Sequence, residues 1–127
     1  MRPPSLPASI EPDGPPHGTD GPIDFWMTLG SEQSADVRGY CFVVERDAYT
    51  GDLHAHADRA TATFVHAGSG VVEVDGVEHA ARPGAMIWVP RGSKHRFKDL
   101  SKGFVAWNFQ FLDPARTDWL PADAPEA

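Results

Sequence analysis

The sequence predicts an all-β domain of the closed-barrel or jelly-roll type. Short segments rich in β-branched and aromatic residues recur along the chain, and turns containing glycine and proline separate them at even intervals. No ten-residue window carries apolar residues at the i, i+3, i+4, i+7 spacing of an amphipathic helix. Together these observations indicate many short strands that close on one core.

The predicted strands follow a proline-rich arm. Residues 1–22 hold seven of the twelve prolines, which oppose both helix and ladder formation, so we expect an extended N-terminal arm there. A barrel is expected over residues 23–113 and a loose tail over 114–127, with one helical turn near 117–120. Strands are predicted at residues 23–29, 37–45, 53–57, 61–67, 71–74, 77–80, 86–89, 95–97 and 104–112. Asp75-Gly76 predicts a two-residue hairpin, because both positions tolerate positive φ.

Composition excludes several classes of function. The 127 residues fit one domain, and a net charge of −7, from 18 acidic and 11 basic residues, argues against a nucleic-acid partner. The longest apolar run, residues 85–89, is far short of the ~20 residues that span a bilayer, and the N-terminus lacks the apolar run of a signal peptide. We therefore expect a soluble cytoplasmic protein with no membrane partner. The single cysteine, Cys41, excludes an internal disulfide and is predicted to be buried in a strand.

A pair of histidines points to a metal site. His54 and His56 stand at i, i+2, and on a strand such residues share a face and start about 6–7 Å apart. Both imidazoles can then lean onto one ion. A third histidine from a distant strand, such as His95, would complete a face of three nitrogens and leave positions open for water or substrate.

The order of these residues resembles the two cupin motifs. His54-x-His56 is followed by a strand, a hairpin, and then Gly84, Pro90, Gly92 and His95, which stand at the spacing of the second motif. The resemblance covers about residues 40–112. It implies a double-stranded β-helix, or jelly-roll barrel, with a metal held inside one end by His54, His56 and His95.

Two positions depart from the cupin pattern. Thr61 stands where the first motif has a carboxylate, usually Glu, and Asp99 stands where the second motif usually ends in Asn. Thr61 is therefore expected, at most, to hydrogen-bond a water on the metal. Asp58 would supply a carboxylate if the strand continued past His56. Two other histidines, His66 and His79, are predicted to lie outside the site.

A three-histidine site suits several ions and reactions. Neutral imidazoles leave a divalent cation its full charge and bind Fe(II), Zn, Ni, Mn or Cu; we favour Fe(II). The resemblance implies iron dioxygenases acting on small aromatic or dicarbonyl substrates as the first hypothesis. The alternatives are a Lewis-acid cyclase or isomerase, of which zinc-dependent polyketide cyclases are the leading example, and a binding module without catalysis.

The last predicted strand suggests part of a substrate pocket. Val105, Trp107, Phe109 and Phe111 alternate with Ala106, Asn108 and Gln110, and the sequence leaves open which set faces the interior. The predicted lining residues are Thr61, Tyr40, Trp88, Phe97, Trp107, Asn108 and Gln110. A homodimer is expected, with the arm and the aromatic pair Phe25-Trp26 crossing to a partner barrel.

Overall fold

The computed structural model describes residues 14–112, and this part of the chain forms nine β-strands and no helix. The strands are β1 (Gly18–Asp20), β2 (Ile23–Leu29), β3 (Val37–Val44), β4 (Arg59–Ala67), β5 (Gly70–Val74), β6 (Val77–Ala81), β7 (Met86–Val89), β8 (His95–Lys98) and β9 (Val105–Leu112). Their pairings are all antiparallel. The predicted all-β class is confirmed.

The strands form two sheets around a single core. The larger sheet has the order β1-β2-β3-β9-β4-β7, and the smaller has the order β6-β5-β8. Buried side chains from both sheets and from the β8–β9 connection pack together: Phe42, Val44, Val65, Val72, Ala81, Ile87, Val89, Leu100, Phe104 and Ala106. Removal of this apolar surface from water is the main favourable term that holds the two sheets together.

Strict alternation along β4 creates a polar inner wall. Arg59, Thr61, Thr63 and Val65 are buried, whereas the residues between them are more exposed. Neighbours along a strand point to opposite faces, so these four side chains share the interior face. The polar members lie toward the start of the strand, and Val65 lies in the core.

The predicted hairpin is confirmed at Asp75-Gly76. Their φ angles are 49° and 82°, and the turn joins β5 to β6. Positive φ at both central residues matches the right-handed twist of the flanking strands, which explains why Asp-Gly is favoured here.

The predicted strand at residues 53–57 does not form. His54 makes an isolated bridge with His95, and the carbonyl of His56 then accepts a hydrogen bond from the Gly92 amide at 2.8 Å. The segment thus hydrogen-bonds first to the start of β8 and then to the turn before it. This divergence ends the ladder after one residue pair.

The predicted arm is wrong in its last residues. Gly18–Asp20 form β1, and Gly18 pairs with Phe25 of β2. No proline interrupts residues 17–21, so a ladder can form there. A Cβ on Gly18 would lie 2.5 Å from Cζ of Phe25, so the close packing needs glycine. Residues 1–13 and 113–127, including the predicted turn at 117–120, lie outside the described residues.

Candidate metal centre

Three histidines converge where the segment before β4 meets the start of β8. The backbones of His54 and His95 exchange two hydrogen bonds, of 3.0 and 2.8 Å, which place their rings side by side with centroids 4.3 Å apart. His56 completes the group, with its ring 5.1 Å from that of His54 and 5.3 Å from that of His95. One nitrogen of each ring lies within 4.8 Å of the other two.

Backbone carbonyls orient two of the rings. Nδ1 of His54 lies 2.8 Å from the carbonyl oxygen of Asp52, and Nδ1 of His95 lies 2.9 Å from that of Ser93. A carbonyl only accepts hydrogen bonds, so each Nδ1 carries a proton, and in the neutral ring the lone pair is then on Nε2. Ligating histidines in metal sites use the same arrangement.

Burial disfavours protonation of two of the three histidines. It lowers the pKa of His56 to about 4, and repulsion from the neighbouring His54, His95 and Arg59 adds to this effect. Burial also lowers the pKa of His95. Nδ1 of His56 is buried without a hydrogen-bond partner among the described residues. Three imidazoles, two of them with a lowered pKa and one of these with an unpartnered buried nitrogen, fit a divalent ion of the imidazole-binding metals.

No carboxylate joins this cluster among residues 14–112. Asp58 is buried and its two carboxylate oxygens accept hydrogen bonds from Arg59, at 3.0 and 3.2 Å. No strand continues from His56 to Asp58, so the condition under which Asp58 would supply a carboxylate is not met, and its carboxylate is turned to the guanidinium. Thr61 is buried and faces the same cavity as the histidines. His66 and His79 are exposed, as predicted.

The histidines open into a cavity of about 580 Å³ between the two sheets. This volume is typical of a small-molecule site. Aromatic and polar side chains share its wall, including Phe25, Tyr40, Phe42, Tyr49, Thr61, Thr63, Phe97, Asn108 and Gln110. Five of the seven predicted lining residues are therefore present: Thr61, Tyr40, Phe97, Asn108 and Gln110.

Two predicted lining residues lie outside the cavity. Trp88 is 56% exposed and packs against Phe111 on the outer face of the larger sheet, because Ile87 and Val89 take the inward positions of β7. Trp107 belongs to the outward set of β9 and pairs with Cys41 and Phe64. Of the two alternating sets of residues on β9, the one that contains Asn108 and Gln110 therefore faces the cavity.

Sequence reasoning missed three polar residues near the site. Thr63 and Tyr49 line the cavity, and Arg59 is buried behind Gln110 with its Nη1 2.5 Å from the Gln110 oxygen. The sequence did contain a signal for two of them. Side chains two residues apart on a strand share a face, so Arg59 and Thr63 were identifiable as neighbours of Thr61. Tyr49 had no such signal, because it lies in a loop whose position depends on a bridge to Leu100.

Two antiparallel sheets that enclose one core and a histidine-lined cavity place the chain among the jelly-roll β-barrels. Residues 41–107, more than half of the chain, match the family described as cupin domain. The chain therefore belongs to the cupin family, as the sequence resemblance implied.

Solved structures share this fold at low sequence identity. An RmlC-like cupin from Shewanella frigidimarina superposes with a TM-score of 0.68 at 21% identity, over 94% of this chain and 100% of its own. KdgF from Halomonas sp. superposes with a TM-score of 0.67 at 20% identity, over 82% of this chain and 89% of its own. A salicylate 1,2-dioxygenase from Pseudaminobacter salicylatoxidans superposes with a TM-score of 0.65 at 15% identity, over 76% of this chain but only 28% of its own.

No curated protein matches the sequence. Residues 14–112 contain no helix that is long and apolar enough to cross a membrane.

Proposed function

We propose that this chain is a metal-dependent cupin enzyme that acts on a small aromatic or dicarbonyl substrate, with dioxygenation at a three-histidine Fe(II) centre as its reaction. One observation carries the proposal. Three imidazoles converge on the wall of a 580 Å³ cavity, and no carboxylate joins them among the described residues. Such a donor set leaves a bound ion with its full positive charge and with open coordination positions.

The chain's own residues would bind and orient the substrate. A bound Fe(II) ion would supply the redox chemistry that a reaction with dioxygen needs. His54, His56 and His95 would hold it, and the rings of Tyr40 and Phe97 would pack on an aromatic or planar substrate beside it.

The fold comparison is compatible with this reaction. The salicylate 1,2-dioxygenase named above shares the fold, and its name describes an oxidation of a small aromatic compound. At 15% identity the likeness carries the fold alone, so the reaction of this chain rests on its own site.

A Lewis-acid cyclase or isomerase, with zinc as the ion, is the second candidate. Tyr49 lines the cavity, and its pKa is raised by burial and by the charges of Asp20 and Asp52. The phenol therefore keeps its proton and can donate a hydrogen bond to an enolate or alkoxide oxygen that forms during cyclisation or isomerisation. Dioxygen has no part in this chemistry.

Metal analysis and anaerobic turnover test the two candidates together. Protein purified without chelators is assayed for bound metal and then for oxygen uptake with Fe(II) and a panel of diketones and phenols. Uptake that ceases under strict anaerobiosis supports the dioxygenase. Turnover that persists without oxygen, with zinc bound, supports the Lewis-acid reaction. No turnover in either condition identifies a binding protein and contradicts both.

We also propose a homodimer formed through the outer face of the larger sheet. Met86, Trp88 and Phe111 are exposed there by 59%, 56% and 41%. Large apolar side chains grouped on one sheet face favour contact with a second protein surface. Phe25 of the predicted aromatic pair lines the cavity, so the proposed interface uses these three side chains instead.

A further inference from the structure

Two amides of β9 stand side by side on the cavity wall. Asn108 and Gln110 are two residues apart on one strand and both line the cavity. A rise of about 3.3 Å per residue separates their backbones by roughly 6.6 Å. A substrate the size of one aromatic ring can therefore contact both.

The Gln110 amide has only one orientation compatible with its neighbour. Nη1 of Arg59 donates to Oε1 of Gln110 at 2.5 Å, and a guanidinium has no acceptor. The oxygen must therefore face Arg59, which turns the NH2 group away from it. None of the described residues accepts a hydrogen bond from this Nε2, and the side chain lines the cavity. Gln110 thus presents hydrogen-bond donors to the cavity.

A buried ion pair holds Arg59 in place. The Nε and Nη2 atoms of Arg59 donate to the two carboxylate oxygens of Asp58, and both residues are at least 95% buried. A two-point contact with a carboxylate fixes the plane of a guanidinium as well as its position. Asp58 and Arg59 therefore preset the Gln110 amide before any ligand arrives.

The Asn108 amide presents the complementary group. Its Nδ2 donates to Oγ1 of the buried Thr63 at 2.7 Å. The Oδ1 atom is then directed away from Thr63 as an acceptor. The cavity wall therefore carries a donor at Gln110 next to an acceptor at Asn108.

We propose that this pair selects hydroxy-carbonyl substrates. Gln110 Nε2 donates to a carbonyl oxygen of the substrate, and Asn108 Oδ1 accepts from a hydroxyl group. Gln110 is then a specificity-determining residue, and Arg59 is a positioning residue that acts through it. The inference deepens the proposed function and rests on it for the identity of the site, but it requires neither iron nor dioxygen.

Isothermal titration of three matched probes tests the selection. The full-length protein, loaded with redox-inert zinc and also metal-free, is titrated with 3-hydroxyacetophenone, acetophenone and phenol. The wild type should bind the first most tightly. Gln110→Glu keeps the shape and the contact with Arg59 but replaces the donor by an acceptor. It should lower the affinity for both ketones by about tenfold or more without weakening the binding of phenol, because the new carboxylate can accept from a hydroxyl group but cannot donate to a carbonyl. Gln33→Glu makes the same change outside the cavity and should alter nothing.

Arg59→Lys tests the positioning role. Lysine keeps the charge but lacks the two-point fork, so the preference for acetophenone over phenol should shrink while phenol affinity stays the same. Should this variant fail to fold, Gln110→Glu decides alone.

Three results would overturn the inference. The wild-type protein binds none of the probes, the Gln110→Glu variant binds acetophenone as the wild type does, or this variant loses affinity equally for all three probes. Failure of the proposed function shows separately, as absent metal or absent turnover in protein whose probe selectivity is intact.

Discussion

The three histidines of the candidate metal centre differ in exposure and in the contacts that orient their rings. His54 is exposed, His56 is half-buried and His95 is buried. The backbone orients His54 and His95 through their Nδ1 atoms. His56 carries the largest electrostatic cost of protonation, because it is desolvated and has two imidazoles and a guanidinium near it.

Removal of a ligand should abolish tight metal binding. We expect His54→Ala and His95→Ala each to weaken zinc binding by roughly a hundredfold or more, since two imidazoles alone make a weak site. Calorimetric titration of metal-free protein measures the affinity. His79→Ala removes an exposed histidine from β6 and should bind zinc as the wild type does. Equal affinities in all variants would contradict the assignment of the site.

The depressed pKa of His56 predicts acid lability of the metal-free protein. The folded-state pKa is about 4, below the unfolded value near 6.5, so the unfolded chain binds more protons between these pH values. The contribution of this group to the free energy of unfolding therefore has its full value above pH 6.5 and decreases as the pH drops toward 4. The slope from this group is at most about 1.4 kcal/mol per pH unit, and solvent screening of a half-buried ring reduces it.

Urea unfolding in chelator across pH 4–7.5 measures this loss. His56→Gln removes this titrating group and should make the profile shallower in that window, with the contribution of His95, whose pKa burial also lowers, remaining. His66→Gln, at an exposed position on β4, is the matched control. A His56→Gln profile as steep as that of the wild type would refute the attribution to His56.

At the scale of the element, β4 joins core, cavity and site in one strand. Its inward residues run from the buried Arg59 through Thr61 and Thr63 to Val65, which is fully buried. β9 matches this gradient, because Gln110 pairs with Thr61, Asn108 with Thr63 and Ala106 with Val65. The two strands thus change together from a polar cavity wall to an apolar core.

The buried ion pair at the start of β4 predicts a large effect of one uncharged substitution. Asp58→Asn should lower the free energy of unfolding by about 3 kcal/mol, because it leaves the buried Arg59 guanidinium without its carboxylate. Equilibrium urea denaturation measures the change. Asp99→Asn makes the same substitution at an exposed site and should cost less than about 0.5 kcal/mol. Similar small losses in both would mean that the pair contributes little.

For the whole molecule, the two sheets enclose one core, and their outer faces differ in polarity. The larger sheet is apolar on its outer face around Trp88 and Phe111, whereas the smaller sheet carries an exposed charged network of Glu78, Lys98 and Arg96 with Glu73. The asymmetry makes the larger sheet the expected contact surface of a homodimer.

Light scattering tests the dimer. Trp88→Glu places a charge in the apolar face and should convert a dimer to a monomer, because a charge buried at an interface without a partner is costly. Val77→Glu, at a residue of β6 that is 57% exposed, is the matched control and should leave the mass unchanged. A monomeric wild type would contradict the proposed dimer.

Local patterns were enough to predict most of the strands and the ligand set. Alternating and β-branched segments predicted eight of the nine strands within a few residues, and Asp75-Gly76 predicted its hairpin, because these signals depend on neighbours along the chain. The spacing of His54 and His56, together with the motif around His95, likewise named the three histidines that converge.

Tertiary structure alone decided which face of each strand was interior. Trp88 and Trp107 looked as suitable for a pocket as Asn108 and Gln110, and only the pairing of β4 with β7 and β9 turned the tryptophans outward. The partner of Asp58 was equally undetermined, since burial beside Arg59 rather than sequence position turned its carboxylate from the metal centre. Period two separates the faces of a strand, but the residues packed against each face determine which one lines the cavity.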